Sequence, residues 1–258
     1  MRRMLAAALS VPALVVSGLF THAAVAVQGP GNGETCFYNP EAPPALATIV
    51  GSGYIEGTPG DDVIVGSPGR DTIFGGEGND IICGNGGGDI IDGGGQNDVI
   101  VGDAPTANPA SSTGSRDTLL GGSGDDVIFA SAGSDVVLGE DGHDDLIGNG
   151  GRDTVVGGDG DDHQFGGPGN DVVVGGDGND GMWGNFGSDQ MAGGDGDDYV
   201  NGDNPTPPPP GPLNPAINPV PNNDSCSGGL GLDTVVNCES AGDGSDPGGP
   251  PPPAIDLP

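Results

Sequence analysis

The chain has 258 residues, 55 of them Gly and 25 Pro, and a formal charge of -33. Only 33 percent of the residues are hydrophobic, which argues against one thick globular core. With 38 acids, five Arg and no Lys, the surface repels nucleic acid and anionic membrane and attracts cations.

Residues 1–26 read as a secretory signal peptide. Met1-Arg2-Arg3 is basic, Leu5 to Phe20 is apolar, and Ala24-Val25-Ala26 fits a small-residue cleavage site. The competing reading is a membrane anchor, for which the apolar run is short. Removing Arg2 and Arg3 would take the charge from -33 to -35. Residues 27–56 form a leader rich in Gly, Pro and Ala, ending in a degenerate cap strand from Thr48 to Glu56 that lacks the Asp described next.

From Gly57 to Asn201 one nine-residue unit recurs: Gly-Gly-x-Gly-x-Asp-x-apolar-x. Gly166-Gly167-Pro168-Gly169-Asn170-Asp171-Val172-Val173-Val174 is a well-formed copy. Its Asp falls at Asp62, Asp71, Asp80, Asp89 and Asp98 in a first block, residues 57–101. It resumes at Asp117, Asp126, Asp135, Asp144, Asp153, Asp162, Asp171, Asp180, Asp189 and Asp198 in a second, residues 114–201. The 102–113 stretch between them reads as a surface loop. The Asp spacing jumps there from nine to 19, so the loop is expected to replace one repeat and shift the phase by one residue. A Pro-rich linker follows at 202–225. A sixteenth copy, Gly228 to Val236, makes a C-terminal cap within 226–240, and a Pro-, Gly- and Asp-rich tail, expected to be disordered, fills 241–258.

Each unit has the parts of a cation site. Gly at the first, second and fourth places permits positive φ and close backbone approach, and Asn85, Asn149 and Asn185 substitute at the second. Tight turns aim carbonyl oxygens at one point, and the Asp adds a carboxylate. Ca²⁺ takes six to eight such oxygens in irregular geometry, whereas Mg²⁺ demands a stricter octahedron. Carboxylates stacked about 4.8 Å apart repel by roughly 1 kcal/mol in water and about 3.5 at an effective dielectric of 20. The metal-free chain is therefore expected to be largely disordered and to fold on Ca²⁺.

The motif resembles the RTX, or haemolysin-type, calcium-binding repeat. The resemblance implies an all-β, right-handed parallel β-roll with two repeats per turn, Ca²⁺ between successive turns on each edge, and all fifteen Asp above as metal ligands. Asp62, Asp80 and Asp98 would share one edge of the first block and Asp71 and Asp89 the other. In the second block Asp117, Asp135, Asp153, Asp171 and Asp189 would face Asp126, Asp144, Asp162, Asp180 and Asp198. Counted block by block this gives up to about eleven ions.

The eighth place supplies the expected core: Ile64, Ile73, Ile82, Ile91, Ile100, Leu119, Ile128, Val137, Leu146, Val155, Val173 and Val200, interrupted by Gln164, Met182 and Met191. Gln96 replaces a fourth-place Gly and Ala130 a first-place one. The ninth-place residues Phe129, Ile147, Phe165 and Trp183 should stack as a ladder. It is either an exposed patch for a partner or a mutual stack covered by the 102–113 or 202–224 loop. Four Cys in an exported chain favour disulfides, with Cys36–Cys83 and Cys226–Cys238 the preferred pairing of three, over zinc ligation.

No nucleophile elbow, zinc-protease or phosphate-loop motif is present. His143 and His163 read as solvated, and Asp125-Asp126 and Asp197-Asp198 as parts of the repeat rather than glycosidase dyads. The expectation is a secreted calcium-binding protein that is not an enzyme. The alternatives are an adhesion module at a cell surface or matrix, and an accessory to an extracellular polysaccharide-acting or hydrolytic enzyme.

Overall fold

Side chains alternate along a strand, so a unit with one apolar residue at its eighth place buries that residue and turns the seventh and ninth outward. One unit cannot enclose its apolar side chain; stacked units can. The computed structural model describes residues 26–28, 35–37, 45–103, 114–202, 225–236, 238 and 240–242, with backbone alone for 26–28, 35–37, 45–46 and 240–242.

Two ten-stranded parallel sheets run the length of the roll. One contains Ile49–Val50, Val63–Val65, Ile81–Asn85, Val99–Asp103, Val127–Phe129, Asp145–Ile147, His163–Pro168, Gly181–Phe186, Tyr199–Asn201 and Thr234–Val236. The other contains Tyr54–Glu56, Thr72–Glu77, Ile90–Gly95, Thr118–Ser123, Val136–Asp141, Thr154–Asp159, Val172–Asp177, Gln190–Asp195, Ser225–Leu230 and Ser240–Gly242. Consecutive strands alternate between the sheets, so one turn uses two repeats. Ile64 pairs with Ile82 and Ile73 with Ile91. This is the parallel β-roll expected from the repeat. Among the described residues no helix is long and apolar enough to cross a membrane.

The core is one column between the sheets. Every aliphatic eighth-place residue named above is fully buried, and Met182 and Met191 continue the row. Each such side chain contributes roughly 1.5–3 kcal/mol on burial. Gln164 is also fully enclosed.

The 102–113 stretch departs from expectation. It does not take the place of a repeat. Ile91 pairs with Leu119 and Ile100 with Ile128, so both sheets run through it without a gap. Asp103 stands opposite the second-place Asn85, and Gly102 therefore keeps the first place. Counting back from Asp117, Gly114 takes the third place. The ten residues 104–113 are thus inserted between the second and third places of one repeat, and the spacing of 19 is nine plus ten.

The leader differs as well. The sequence predicts a single cap strand there. Ala26–Gln28, Thr35–Phe37 and Ala45–Leu46 make a three-stranded sheet. Thr48 to Glu56 holds two strands, one opening each sheet. At the other end Cys226 sits in the core column opposite Met191 and is bonded to Cys238 with a Cα–Cα distance of 6.1 Å. Cys83 is also disulfide-bonded; its expected partner Cys36 lies outside the residues whose side chains are described. So do the expected signal peptide and the tail, of which only the backbone of Ala26 and of 241–242 is described.

Candidate metal centre

The turn preceding each Asp is shaped by its glycines. Several non-glycine second-place residues have positive φ: Asn85 at 80°, Asn149 at 66° and Asn185 at 75°, as expected, but also Ser131 at 84° and Glu140 at 79°. Gln96, in place of a fourth-place Gly, keeps φ at 74°, so that turn is retained. The first-place glycines are needed for space. A Cβ on Gly75 would lie 2.5 Å from Asp80 Oδ2 and 2.3 Å from the Gly93 carbonyl oxygen one turn on.

The structure turns all fifteen predicted Asp inward and buries them. They form two unbroken columns. On one edge the backbone N–H of Asp62, Asp80, Asp98, Asp126, Asp144, Asp162 and Asp180 each donates to Oδ1 of the next Asp in the column, at 2.7 to 2.9 Å. Asp198 continues it to Asp233 at 3.2 Å. On the other edge Asp71, Asp89, Asp117, Asp135, Asp153 and Asp171 donate in the same way, ending on Asp189. The eleven steps expected from two separate blocks become fourteen, because each column passes through the insertion and one of them continues to Asp233. Asp233, at the sixth place of the sixteenth copy, extends this column beyond the fifteen Asp expected as ligands, and its place in the motif is the signal for it.

The second carboxylate oxygen is left over. Oδ2 of Asp80, Asp98, Asp126, Asp144, Asp162, Asp180 and Asp198, and of Asp89, Asp117, Asp135, Asp153 and Asp171, is buried without a hydrogen-bond partner. An enclosed, unpaired charged oxygen is costly. Burial accordingly pushes Asp126, Asp135, Asp162 and Asp171 up to about 8. Asp98 and Asp117 rise to about 7, and Asp89, Asp144, Asp153 and Asp180 to about 6. The N–H of the preceding Asp opposes the shift in each case, and neighbouring carboxylates reinforce it in most.

Asp62 and Asp71 differ. Asp62 Oδ2 accepts from the Thr58 N–H at 2.7 Å and its Oδ1 from the Thr48 hydroxyl at 2.9 Å. Asp71 Oδ2 accepts from the Ser67 N–H at 2.6 Å, and its Oδ1 from the Gly53 N–H. Their repeats carry Thr58-Pro59 and Ser67-Pro68 at the second and third places, and their carboxylates close the column ends.

The donor set suits a hard cation. Except at Asp135, whose repeat has Ala130 in the first place, each open Oδ2 lies over a first-place glycine, beside the carbonyl oxygen of the first-place residue one turn on. Among the described residues no three His, Cys, Asp or Glu side chains converge on one point, so a cation here would depend on main-chain carbonyls as well as carboxylate. That mixture is characteristic of Ca²⁺. In the pairs Asp125-Asp126 and Asp197-Asp198 the second residue is buried in the column while the first is exposed.

The residue before each ladder Asp forms a further column that the sequence reading missed. On the Asp62 edge, N–H groups donate one turn back to the preceding side chain. Asn79 donates to Asp61, His143 to Asp125, Asn179 to Asp161 and Leu232 to Asp197, at 2.8 to 3.1 Å. The His143 Nδ1 accepts from Asp161 at 2.8 Å, and His163 Nδ1 lies 3.1 Å from Asp145 Oδ1, which raises its proton affinity. Of the predicted outer ladder, Phe165 and Trp183 stack with centroids 4.7 Å apart and an interplanar angle of 8°. Phe129 and Ile147 precede them in register, and all four are half-buried.

Among curated proteins none matches the chain. The profile of the RTX calcium-binding nonapeptide repeat matches residues 56–91, 84–104, 111–146, 138–173, 147–182 and 174–204. These matches together cover more than half of the sequence, and they coincide with the turns that carry the two carboxylate columns. The chain belongs to the RTX family of calcium-binding nonapeptide-repeat proteins.

Proposed function

We propose that the protein is a secreted calcium-binding roll whose folding is completed by Ca²⁺ outside the cell, and that it performs no catalysis of its own. The observation that carries this reading is the row of enclosed Oδ2 atoms without partners. A fold that buries so many like charges needs a counter-charge. Bound Ca²⁺ supplies that positive charge and accepts both carboxylate and carbonyl oxygens. Asp80, Asp98, Asp126, Asp144, Asp162, Asp180 and Asp198 would hold it on one edge. Asp89, Asp117, Asp135, Asp153, Asp171 and Asp189 would do so on the other. Asp62 and Asp71, with both oxygens engaged, act as end caps in this reading. One ion per step sets an upper bound of fourteen across the described ladder. Secretion is supported by the N-terminal basic-apolar-small pattern and by the bonded Cys226–Cys238 pair.

The test is far-UV circular dichroism of the secreted chain through a Ca²⁺ titration, with Mg²⁺ as control. A cooperative coil-to-β transition with Ca²⁺ alone is expected, in the range of about 10⁻⁴–10⁻³ M typical of extracellular modules. A β spectrum already complete in chelator, or coil persisting at about 10 mM Ca²⁺, defeats the proposal. A second reading, adhesion through the outer face, has one observation in its favour. Phe186 and Tyr199 are 42% and 39% exposed, and Tyr199 lies against the Trp183 stack.

A further inference from the structure

We infer that the two edges of the roll are two classes of cation site, the Asp62 edge filling at lower Ca²⁺ than the Asp71 edge, with Arg70, Arg116 and Arg152 setting the gap. The inference rests on the calcium reading above. The inner geometry of the edges does not separate them, since both columns use the same N–H to Oδ1 bond at 2.7 to 2.9 Å along most of their length. What differs is the layer of charge immediately outside.

On the Asp62 edge the residue before the ladder Asp is Asp61, Asp125, Asp161 or Asp197 in four repeats, and Asn or His in four others. Two residues earlier, Asp141, Asp159, Asp177 and Asp195 are strand neighbours in consecutive turns. All of these acids are exposed. On the Asp71 edge the same two positions carry no acid among the described residues. The position before the ladder Asp is instead Arg70, Arg116 or Arg152, with Gly88, Ser134, Asn170 and Ser188 between. These are all the arginines beyond Arg2 and Arg3. Each is exposed, and the Arg70 guanidinium lies along the column: a Cβ on Gly88, one turn on, would sit 3.4 Å from its Nη2.

The buried carboxylates register these neighbours. Behind burial and the neighbouring ladder carboxylates, Asp89 feels Arg70 and Asp171 feels Arg152, whereas Asp126 feels Asp125 and Asp198 feels Asp197 and Asp195; among the described residues the buried Asp103 is the one acid outside the ladder that acts on the Asp71 edge, at Asp89, Asp117 and Asp135. A divalent ion doubles the effect of any unit charge beside it. A few such charges within a Debye length of each site are expected to separate the edges by about threefold to tenfold in affinity at low salt.

The experiment is calorimetric Ca²⁺ titration of the full secreted chain at about 0.02 M and about 0.5 M salt, beside two triple variants. One is Arg70→Ser, Arg116→Ser and Arg152→Ser, which installs the residue already present at Ser134 and Ser188. The other is Asp125→Asn, Asp161→Asn and Asp197→Asn, which repeats Asn79 and Asn179. Two phases are expected at low salt, drawing together at high salt. The Ser variant should tighten the weak phase several-fold and leave the tight one in place, and the Asn variant should weaken the tight phase alone. A single phase at low salt overturns the inference, as does a weak phase unmoved in the Ser variant. A uniform shift of both phases, which net charge alone would cause, overturns it too. No calcium binding in any of the three proteins overturns the calcium reading itself and the inference with it.

Discussion

Gln164 is the one polar side chain in the central core column. Its Nε2 reaches the Gly175 carbonyl oxygen only at 3.5 Å, and its Oε1 is buried without a partner. It lies between Leu146 and Met182 in register. A buried unsatisfied amide costs roughly 1–3 kcal/mol, and a Leu of similar volume would continue the aliphatic row. Gln164→Leu is therefore expected to raise the stability of the calcium-loaded roll by about 1–2 kcal/mol, read as an increase in Tm. One contact bears on the opposite result. A Cβ on Gly157 would lie 2.1 Å from Gln164 Nε2 and 2.2 Å from Asp162 Oδ2, so the amide and the carboxylate end over the same glycine. A lower Tm in calcium, with fewer ions bound, would show that the amide serves the Asp162 step.

At the scale of the element, the ten residues 104–113 are an insertion into an otherwise regular repeat count. Gly102 and Asp103 already occupy the first two places of their repeat, and the Ser115 N–H reaches back to Asp103 Oδ2 at 3.2 Å. Deleting residues 104–113 would join Asp103 to Gly114 and restore an uninterrupted nine-residue count. Loop-closure cost grows slowly with length, so stability should change by no more than about 1 kcal/mol, and calcium stoichiometry should not change. A loss of bound ions or of cooperative unfolding would mean that the segment holds the columns together. The sequence left this point ambiguous for a physical reason. A spacing of 19 can be two repeats plus one residue or one repeat plus ten, and only the pairing of Ile91 with Leu119 and Ile100 with Ile128 decides. The strands, the eighth-place core and the inward Asp were legible because stacking makes every turn obey the same period. The closed state of Asp62 and Asp71 was less so. It needs Thr48 and Gly53 from a turn without the motif, although Thr58-Pro59 and Ser67-Pro68 mark those repeats as different. The opposition of acidic and Arg-bearing edges was fully written in the sequence. It emerges once alternate repeats are sorted into separate columns.

The whole molecule couples protons, calcium and folding through the same carboxylates. In the roll, burial raises Asp126, Asp135, Asp162 and Asp171 to about 8, against about 3.9 for an Asp in an unfolded chain. Between those values the folded state holds more protons than the unfolded one, so the stability of the metal-free roll falls as pH rises. This contribution is fully present below about pH 4 and is lost as pH passes through the folded values between about 6 and 8. Calcium has the opposite dependence. Each ion must displace the protons held by its carboxylates, so the apparent affinity rises with pH over the same window and binding releases protons. Metal-free stability and calcium affinity should therefore change in opposite directions between about pH 5 and about pH 8. The β signal in chelator should decrease with pH, while the Ca²⁺ concentration at half-folding should also decrease. Circular dichroism in chelator across that range, with calcium titrations at its two ends, measures both. A metal-free β signal that grew with pH would mean that the columns are closed by something other than protonated or metal-bound Asp. A half-folding concentration indifferent to pH would separate calcium from the buried carboxylates altogether. If both curves behave as expected, a chain that is unfolded at neutral pH in low calcium and rigid in high calcium needs no other folding trigger than the change of medium.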